Sequence, residues 1–161
     1  MVIYIGADHR GFEIKKALLE KLKYEGYPVV DAGDDVLNED DDYVDYAVRV
    51  AERVSVDYER NRGILICGSG VGMCVAANKF LNVRAALVSS SDQAYDSRTD
   101  DDTNVLCLGS NYMDAAQATK IALTWLQTPF SDEVRHRRRL EKIAQVEMKY
   151  VKPVHGEENE G

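Results

Sequence analysis

The sequence predicts a three-layer α/β domain in which a five-stranded, mostly parallel sheet is flanked by helices. Three observations carry that expectation. Short β-branched and apolar runs alternate with longer amphipathic stretches, as βαβ units require. One run, Gly63-Ile64-Leu65-Ile66-Cys67, is apolar without a break, the mark of a strand covered on both faces. And 161 residues suit one sizeable core rather than two.

The elements follow in chain order. Val2-Ile3-Tyr4-Ile5 reads as the first strand, ended by Gly6. Ile14, Leu18 and Leu22 recur at helical spacing on one face, and Gly26 supplies a C-terminal stop. Residues 27–30 give a second strand. An acidic loop with Asp34, Asp35, Glu39, Asp40, Asp41 and Asp42 comes next, and solvation is its simplest role. A helical pattern then covers about 43–56. After the strand at 63–67, two further apolar runs at 83–88 and 104–108 complete the sheet. Helical stretches fall near 71–80, 92–99, 113–127 and 133–150. Residues 1–150 therefore form one domain. Residues 151–161, with Glu157, Glu158 and Glu160, are expected to be a disordered acidic tail.

Composition excludes several classes. An apolar share of 45% with 30% charged residues is that of a globular chain. Twenty basic against 28 acidic residues, net −8, lacks the basic footprint of a nucleic-acid or anionic-membrane binder. No apolar run is long enough to span a bilayer, and Asp8, His9 and Arg10 arrive too early for a signal peptide. Three cysteines, Cys67, Cys74 and Cys107, do not make a disulfide framework. A cytoplasmic protein is the expectation.

Ligands of such sheets sit at the carboxyl ends of the strands. The segments to inspect are 6–11, 31–42, 67–72, 89–92 and 109–111. The most informative is Cys67-Gly68-Ser69-Gly70-Val71-Gly72, which follows the most apolar strand and opens a helix. Its glycines let backbone approach a guest closely, and its N–H groups suit an anion or a developing oxyanion. The plainer reading is a tight βα turn built for packing. Cys67 lies where strand gives way to helix, a setting that favours a thiolate, whereas Cys74 and Cys107 read as small core hydrophobes. Cys67 and Cys74 are seven apart with no matching second pair or histidine, so no metal is expected. Asp8 and His9 follow the first strand at the same edge. Arg135 and Arg139, four apart on one helix face, could grip a phosphate. Arg137 and Arg138 read as solvated.

Five segments together resemble the type B ribose-5-phosphate isomerases and the galactose-6-phosphate and allose-6-phosphate isomerases. They are residues 6–12 (Gly6-Ala7-Asp8-His9-Arg10-Gly11-Phe12), Asp42-Tyr43, the stretch 63–72, Ala76-Ala77-Asn78-Lys79, and Asp102-Thr103-Asn104-Val105-Leu106. The likeness runs from Val2 to about Met148. It implies a Rossmann-like domain that forms a homodimer or homotetramer, with sites shared across subunits. Each site would interconvert aldose and ketose phosphates without metal or cofactor. By that likeness Cys67 is the base, and Ser69 assists proton exchange. The backbone of Gly68, Gly70, Val71 and Gly72 holds the enediolate. Asp8 and Tyr43 contact sugar hydroxyls, and His9, Arg135 and Arg139 bind phosphate. Met73 stands where another branch of the family carries an acidic base, so this chain resembles the cysteine branch.

Three positions depart from the family's pattern. Asp100-Asp101 replace the usual His-Asn, whose histidine opens the sugar ring. Asn111 replaces an arginine, and Asp132-Glu133-Val134 replace a Gly-Gly. Asp100 would then be the ring-opening acid/base, with Asp101 beside the substrate, provided neighbouring carboxylates raise its pKa. A substrate that cannot close into a ring, such as a tetrose phosphate, would need no ring opener. Two other readings stay open. One is a non-catalytic sugar-phosphate binding protein on the same fold. The other is a nucleotide-binding domain resting on Gly68, Gly70, Gly72 and Asp92.

Overall fold

A computed structural model describes residues 1–151 of the chain, so the expected acidic tail lies almost wholly outside the described residues. Five strands form one sheet: β1 (Ile3–Ala7), β2 (Val29–Asp31), β3 (Arg62–Cys67), β4 (Ala85–Leu87) and β5 (Val105–Gly109). Their order is β2-β1-β3-β5-β4, and every pairing is parallel. Six helices connect and flank them: α1 (Phe12–Tyr24), α2 (Tyr43–Val56), α3 (Val71–Ala77), α4 (Ser91–Asp101), α5 (Ala115–Gln127) and α6 (Val134–Tyr150). A single 3-10 turn, His9–Gly11, joins β1 to α1.

Alternation along β3 explains the three layers. Ile64 and Ile66 point to one face, where they pack with Leu18, Leu22, Ile121 and Trp125 of α1 and α5. Leu65 and Cys67 point to the other, against Val50, Val54, Met73 and Ala77 of α2 and α3. No side chain of β3 from Gly63 to Cys67 can be spared for solvent, so the run is apolar throughout.

The edge strands are shorter than the sequence pattern suggests. The run at 83–88 pairs only over Ala85–Leu87, and the strand expected at 27–30 pairs over Val29–Asp31. Each has one neighbour, and Pro28 has no N–H to give the ladder. α3 ends at Ala77, before the expected residue 80, because Asn78 turns back to the sheet. Its side chain donates to the Ala85 carbonyl and accepts from the Ala85 N–H, both at 2.9 Å.

Asp102-Thr103-Asn104 knots the N-terminal edge of the sheet. Asp102 accepts from Arg98 Nη1 at 2.7 Å and from Arg84 Nη2 at 2.9 Å. Thr103 Oγ1 accepts from the buried Trp125 indole at 2.9 Å. Asn104 accepts from the Arg84 N–H and donates to the Asn82 carbonyl.

Candidate active site

The strand order reverses between β1 and β3. β1 connects outward to β2, and β3 connects the other way toward β4. The carboxyl ends of β1 and β3 therefore flank a crevice at the switch point, where sheets of this type bind ligands.

β3 delivers Cys67 to that crevice with 5% of its surface exposed. The backbone N–H of Gly70 donates to Cys67 Sγ at 3.1 Å, which fixes the sulfur inside the curve of the loop. Ser69 Oγ accepts from the Val71 N–H at 3.2 Å. The far side of the loop is stapled to the end of β5: Ser110 N–H donates to Cys67 O and Asn111 N–H to Gly68 O, both at 2.9 Å. Two glycines are dictated by geometry. Gly70 sits at φ +78°, and an added Cβ would come 2.6 Å from Leu87 Cδ1 and 2.9 Å from the Leu108 carbonyl carbon. At Gly72 a Cβ would fall 2.6 Å from the Tyr43 ring, so Tyr43 lies directly against the loop.

β1 delivers the second group. Asp8 is buried, and its Oδ1 accepts from the N–H groups of Arg10 (3.0 Å) and Gly11 (3.1 Å), capping the 3-10 turn. Burial pushes its carboxyl above the ordinary value, while the Gly11 hydrogen bond pulls the other way. His9 Nδ1 meets Asp41 Oδ1 at 2.7 Å. That hydrogen bond raises the imidazole above its ordinary value. Donor atoms of Asp8, His9 and Asp41 lie within 4.8 Å of one another. His9 and Asp41 are bonded to each other and Asp8 Oδ1 caps the 3-10 turn, so the three side chains form one polar cluster at the crevice. Arg10 Cδ lies 2.8 Å from where a Gly68 Cβ would stand, with Asn111 Nδ2 at 3.3 Å. A cavity of about 450 Å³ opens beside them, lined also by Glu13, Ser110 and Met113.

The remaining residues named from sequence lie elsewhere. α4 starts beyond the carboxyl end of β4 and runs back along the sheet for 11 residues, roughly 16 Å at helical rise. Asp100 and Asp101 at its end therefore sit at the N-terminal edge of the sheet, opposite Cys67. Both are exposed. Thr99 Oγ1 donates to Asp100 Oδ1 at 3.1 Å, and the nearest cation-capable nitrogen, His136 Nε2, is 3.7 Å away. Arg135 belongs to the same edge: its Nε donates to His136 Nε2 at 3.1 Å and pairs with Glu133 at 2.9 Å. Arg139 follows one turn along α6, exposed. Arg137 pairs with Asp132 at 3.5 Å, as a solvated residue would. Within one chain the residues thus divide into two groups. Cys67, Ser69, the glycines, Val71, Asp8, His9 and Tyr43 converge, whereas Asp100, Asp101, Arg135 and Arg139 form a separate cluster.

A family model described as Ribose/Galactose Isomerase matches residues 3–143. The chain belongs to the ribose/galactose isomerase family. It is 43% identical over 145 residues to the probable ribose-5-phosphate isomerase B of Mycoplasma genitalium, covering 90% of this chain and 95% of that protein. The crystal structure of ribose-5-phosphate isomerase B from Mycoplasma genitalium with bound ribulose-5-phosphate superposes with a TM-score of 0.89 at 42% identity. That match covers 92% of this chain and 97% of that one. The Clostridium thermocellum ribose-5-phosphate isomerase B gives 0.87 at 41%, covering 93% and 99%. Membership makes this chain an isomerase, and its sheet and helices are those of the family's α/β fold.

For a ribose/galactose isomerase, three residues here escape sequence reasoning. Asp41 belongs to the loop assigned to solvation, yet its side chain is 6% exposed and engages His9. His136, 3% exposed, anchors α6: its Nδ1 lies 2.7 Å from Ser131 Oγ and 3.2 Å from the Thr99 carbonyl. Its place amid arginines hides it. Cys74 does more than fill space. Its Sγ lies 3.5 Å from the Ala85 carbonyl, and the neighbouring Cys107 side chain brings it down to about 7, while Cys74 and burial push Cys107 well up. No described helix is long and apolar enough to cross a membrane.

Proposed function

We propose that this isomerase interconverts the aldose and ketose forms of a sugar phosphate through a metal-free enediolate, with Cys67 as the base. Ribose 5-phosphate and ribulose 5-phosphate are the leading pair; a related tetrose, pentose or hexose phosphate is the same chemistry. The observation that carries the reading is the Gly70 N–H on Cys67 Sγ at 3.1 Å, at the mouth of the β1/β3 crevice.

In this mechanism the thiolate of Cys67 removes the proton from C2 of the open-chain aldose. The electron pair moves into the C1–C2 bond, and the carbonyl oxygen becomes the enediolate oxyanion. N–H groups of the loop from Gly68 to Gly72 stabilise that charge. Cys67 then returns the proton to C1, while Ser69 carries a proton between the two oxygens. Asp8 and Tyr43 hold the sugar hydroxyls, and His9, Arg135 and Arg139 hold the phosphate.

One chain cannot bring Arg135, Arg139, Asp100 and Asp101 to its own Cys67, because the sheet stands between them. A homodimer, or a tetramer of such dimers, joins the C-terminal edge of one subunit to the N-terminal edge of another. Exposed Val71, Val75, Leu87 and Tyr95 on neighbouring elements supply apolar surface for that association. Asp100 would then open the sugar ring across the interface. Acidic net charge and free thiols fit a cytoplasmic enzyme without nucleic-acid or membrane partners.

Asp100 in place of a histidine and Asn111 in place of an arginine favour a second reading, a sugar-phosphate binding protein without turnover. Proton NMR of the protein with ribose 5-phosphate in deuterated water separates the two. Formation of ribulose 5-phosphate with deuterium entering from solvent is the expected result. Cys67→Ala should then lose at least about a hundredfold in rate while keeping its fold. Calorimetric binding with no exchange of the substrate C–H would establish the binding protein instead.

A further inference from the structure

The acidic loop between β2 and α2 contributes one carboxylate to the crevice rather than to solvent. Asp35, Glu39, Asp40 and Asp42 are exposed, whereas the Asp41 side chain is 6% exposed and turned onto His9. The two residues are 32 apart in sequence, so no local propensity puts them together. A carboxylate so enclosed is costly unless a charged or strongly polar partner meets it. His9 Nδ1 at 2.7 Å is that partner. The contact also decides the ring. With Nδ1–H committed to Asp41, Nε2 is left without a protein partner among the described residues, and the His9 side chain keeps 33% of its surface open.

We infer that Asp41 is a positioning residue that holds His9 as an imidazolium with Nε2–H presented to an anionic group of the substrate. In the reading above, on which this inference rests, that group is the phosphate. The charged groups facing the imidazole are few. Asp8 and Arg10 approach from the 3-10 turn and Asp41 from the loop. Behind Asp41 stands the Tyr46 hydroxyl of α2, which donates to Asp34 Oδ2 at 2.6 Å. Asp41 is the largest influence on His9 and raises its pKa. An uncharged amide at that position would leave the ring free to turn and easier to deprotonate.

The test is Asp41→Asn, read three ways. Nitrogen-detected NMR should show His9 titrating at lower pH than in the parent chain. Calorimetry with inorganic phosphate and with ribose 5-phosphate should show roughly tenfold weaker binding at pH 8 and a smaller loss at pH 6. Turnover should show KM raised with kcat nearly kept. Asp41→Glu should restore much of the binding, and Asp40→Asn, on the exposed part of the loop, should change nothing. In a His9→Ala background, Asp41→Asn should have no further effect on phosphate binding. An unchanged His9 titration, or an equal loss of binding with and without His9, would overturn the inference. Absence of turnover on every sugar phosphate, with the His9 coupling intact, would sink the isomerase substrate reading and leave this one standing.

Discussion

Gly70→Ala is the substitution that most directly tests the geometry of the loop. Gly70 sits at φ +78°, where a Cβ costs about 1–2 kcal/mol on conformational grounds alone. The added methyl would also stand 2.6 Å from Leu87 Cδ1, 2.9 Å from the Leu108 carbonyl carbon and 3.0 Å from its oxygen. Leu87 can rotate aside, but the Leu108 backbone is held in the β3–β5 ladder and cannot. Relief of that overlap costs a further 1–2 kcal/mol or so, giving a loss near 3 kcal/mol. For a chain of this size that lowers Tm by roughly 6–12 °C. Because the Gly70 N–H is the donor to Cys67 Sγ, turnover should fall more than stability alone explains. Gly26→Ala is the control: φ is +83° with nothing within 4 Å of the new Cβ. It should lose only the conformational share and keep full activity. Urea and thermal melts of both variants, with turnover measured well below their midpoints, separate the two contributions. If Gly70→Ala lost no more than Gly26→Ala and kept its rate, the close packing of the loop against Leu108 would be refuted.

Asp102→Asn should cost about 2 kcal/mol in urea unfolding, since Arg98, nearly buried, loses its charged partner. Arg98→Ala in the same background should then add less than its own single effect. Iodoacetamide at pH 7, followed by peptide mass mapping, should modify Cys74 well before the buried Cys107, because the thiol held near 7 is the half-exposed one. The Asp41–His9 pair also has a pH signature. A histidine raised above its ordinary 6.5 adds stability that is fully present below 6.5 and disappears as pH rises through the folded value. The Tm gap between parent and Asp41→Asn should therefore be widest in mild acid and close on the alkaline side; a gap constant with pH would contradict the assignment.

The fold was largely legible because its information is local. The unbroken run at 63–67 and the helical spacing of Ile14, Leu18 and Leu22 each follow from a single element's burial. The glycine loop was legible for the same reason: a left-handed residue and close backbone approaches both select glycine within six positions. What escaped was long-range. Asp41 reads as one more solvated acid until the fold carries it to His9. Lys15 lies on the apolar face of α1, with its ammonium capturing both Asp31 oxygens at 2.9 Å and the Asp34 carbonyl at 2.7 Å. Nothing in a helical pattern distinguishes such a lysine from one in water. The separation of Asp100, Arg135 and Arg139 from Cys67 needed the direction of α4, which periodicity does not report.

The knot at Asp102-Thr103-Asn104 has a consequence for how such a chain can change over generations. Arg84, Arg98 and Trp125 grip these three residues and ask nothing of the identity of their neighbours. Residues 100 and 101 can therefore be exchanged at the rim while the end of α4 stays where it is. The loop around Cys67, wedged against Leu108 and Tyr43, has no such freedom. The sheet partitions the molecule into an edge whose close packing admits little change and an edge whose exposed side chains can vary without disturbing the fold.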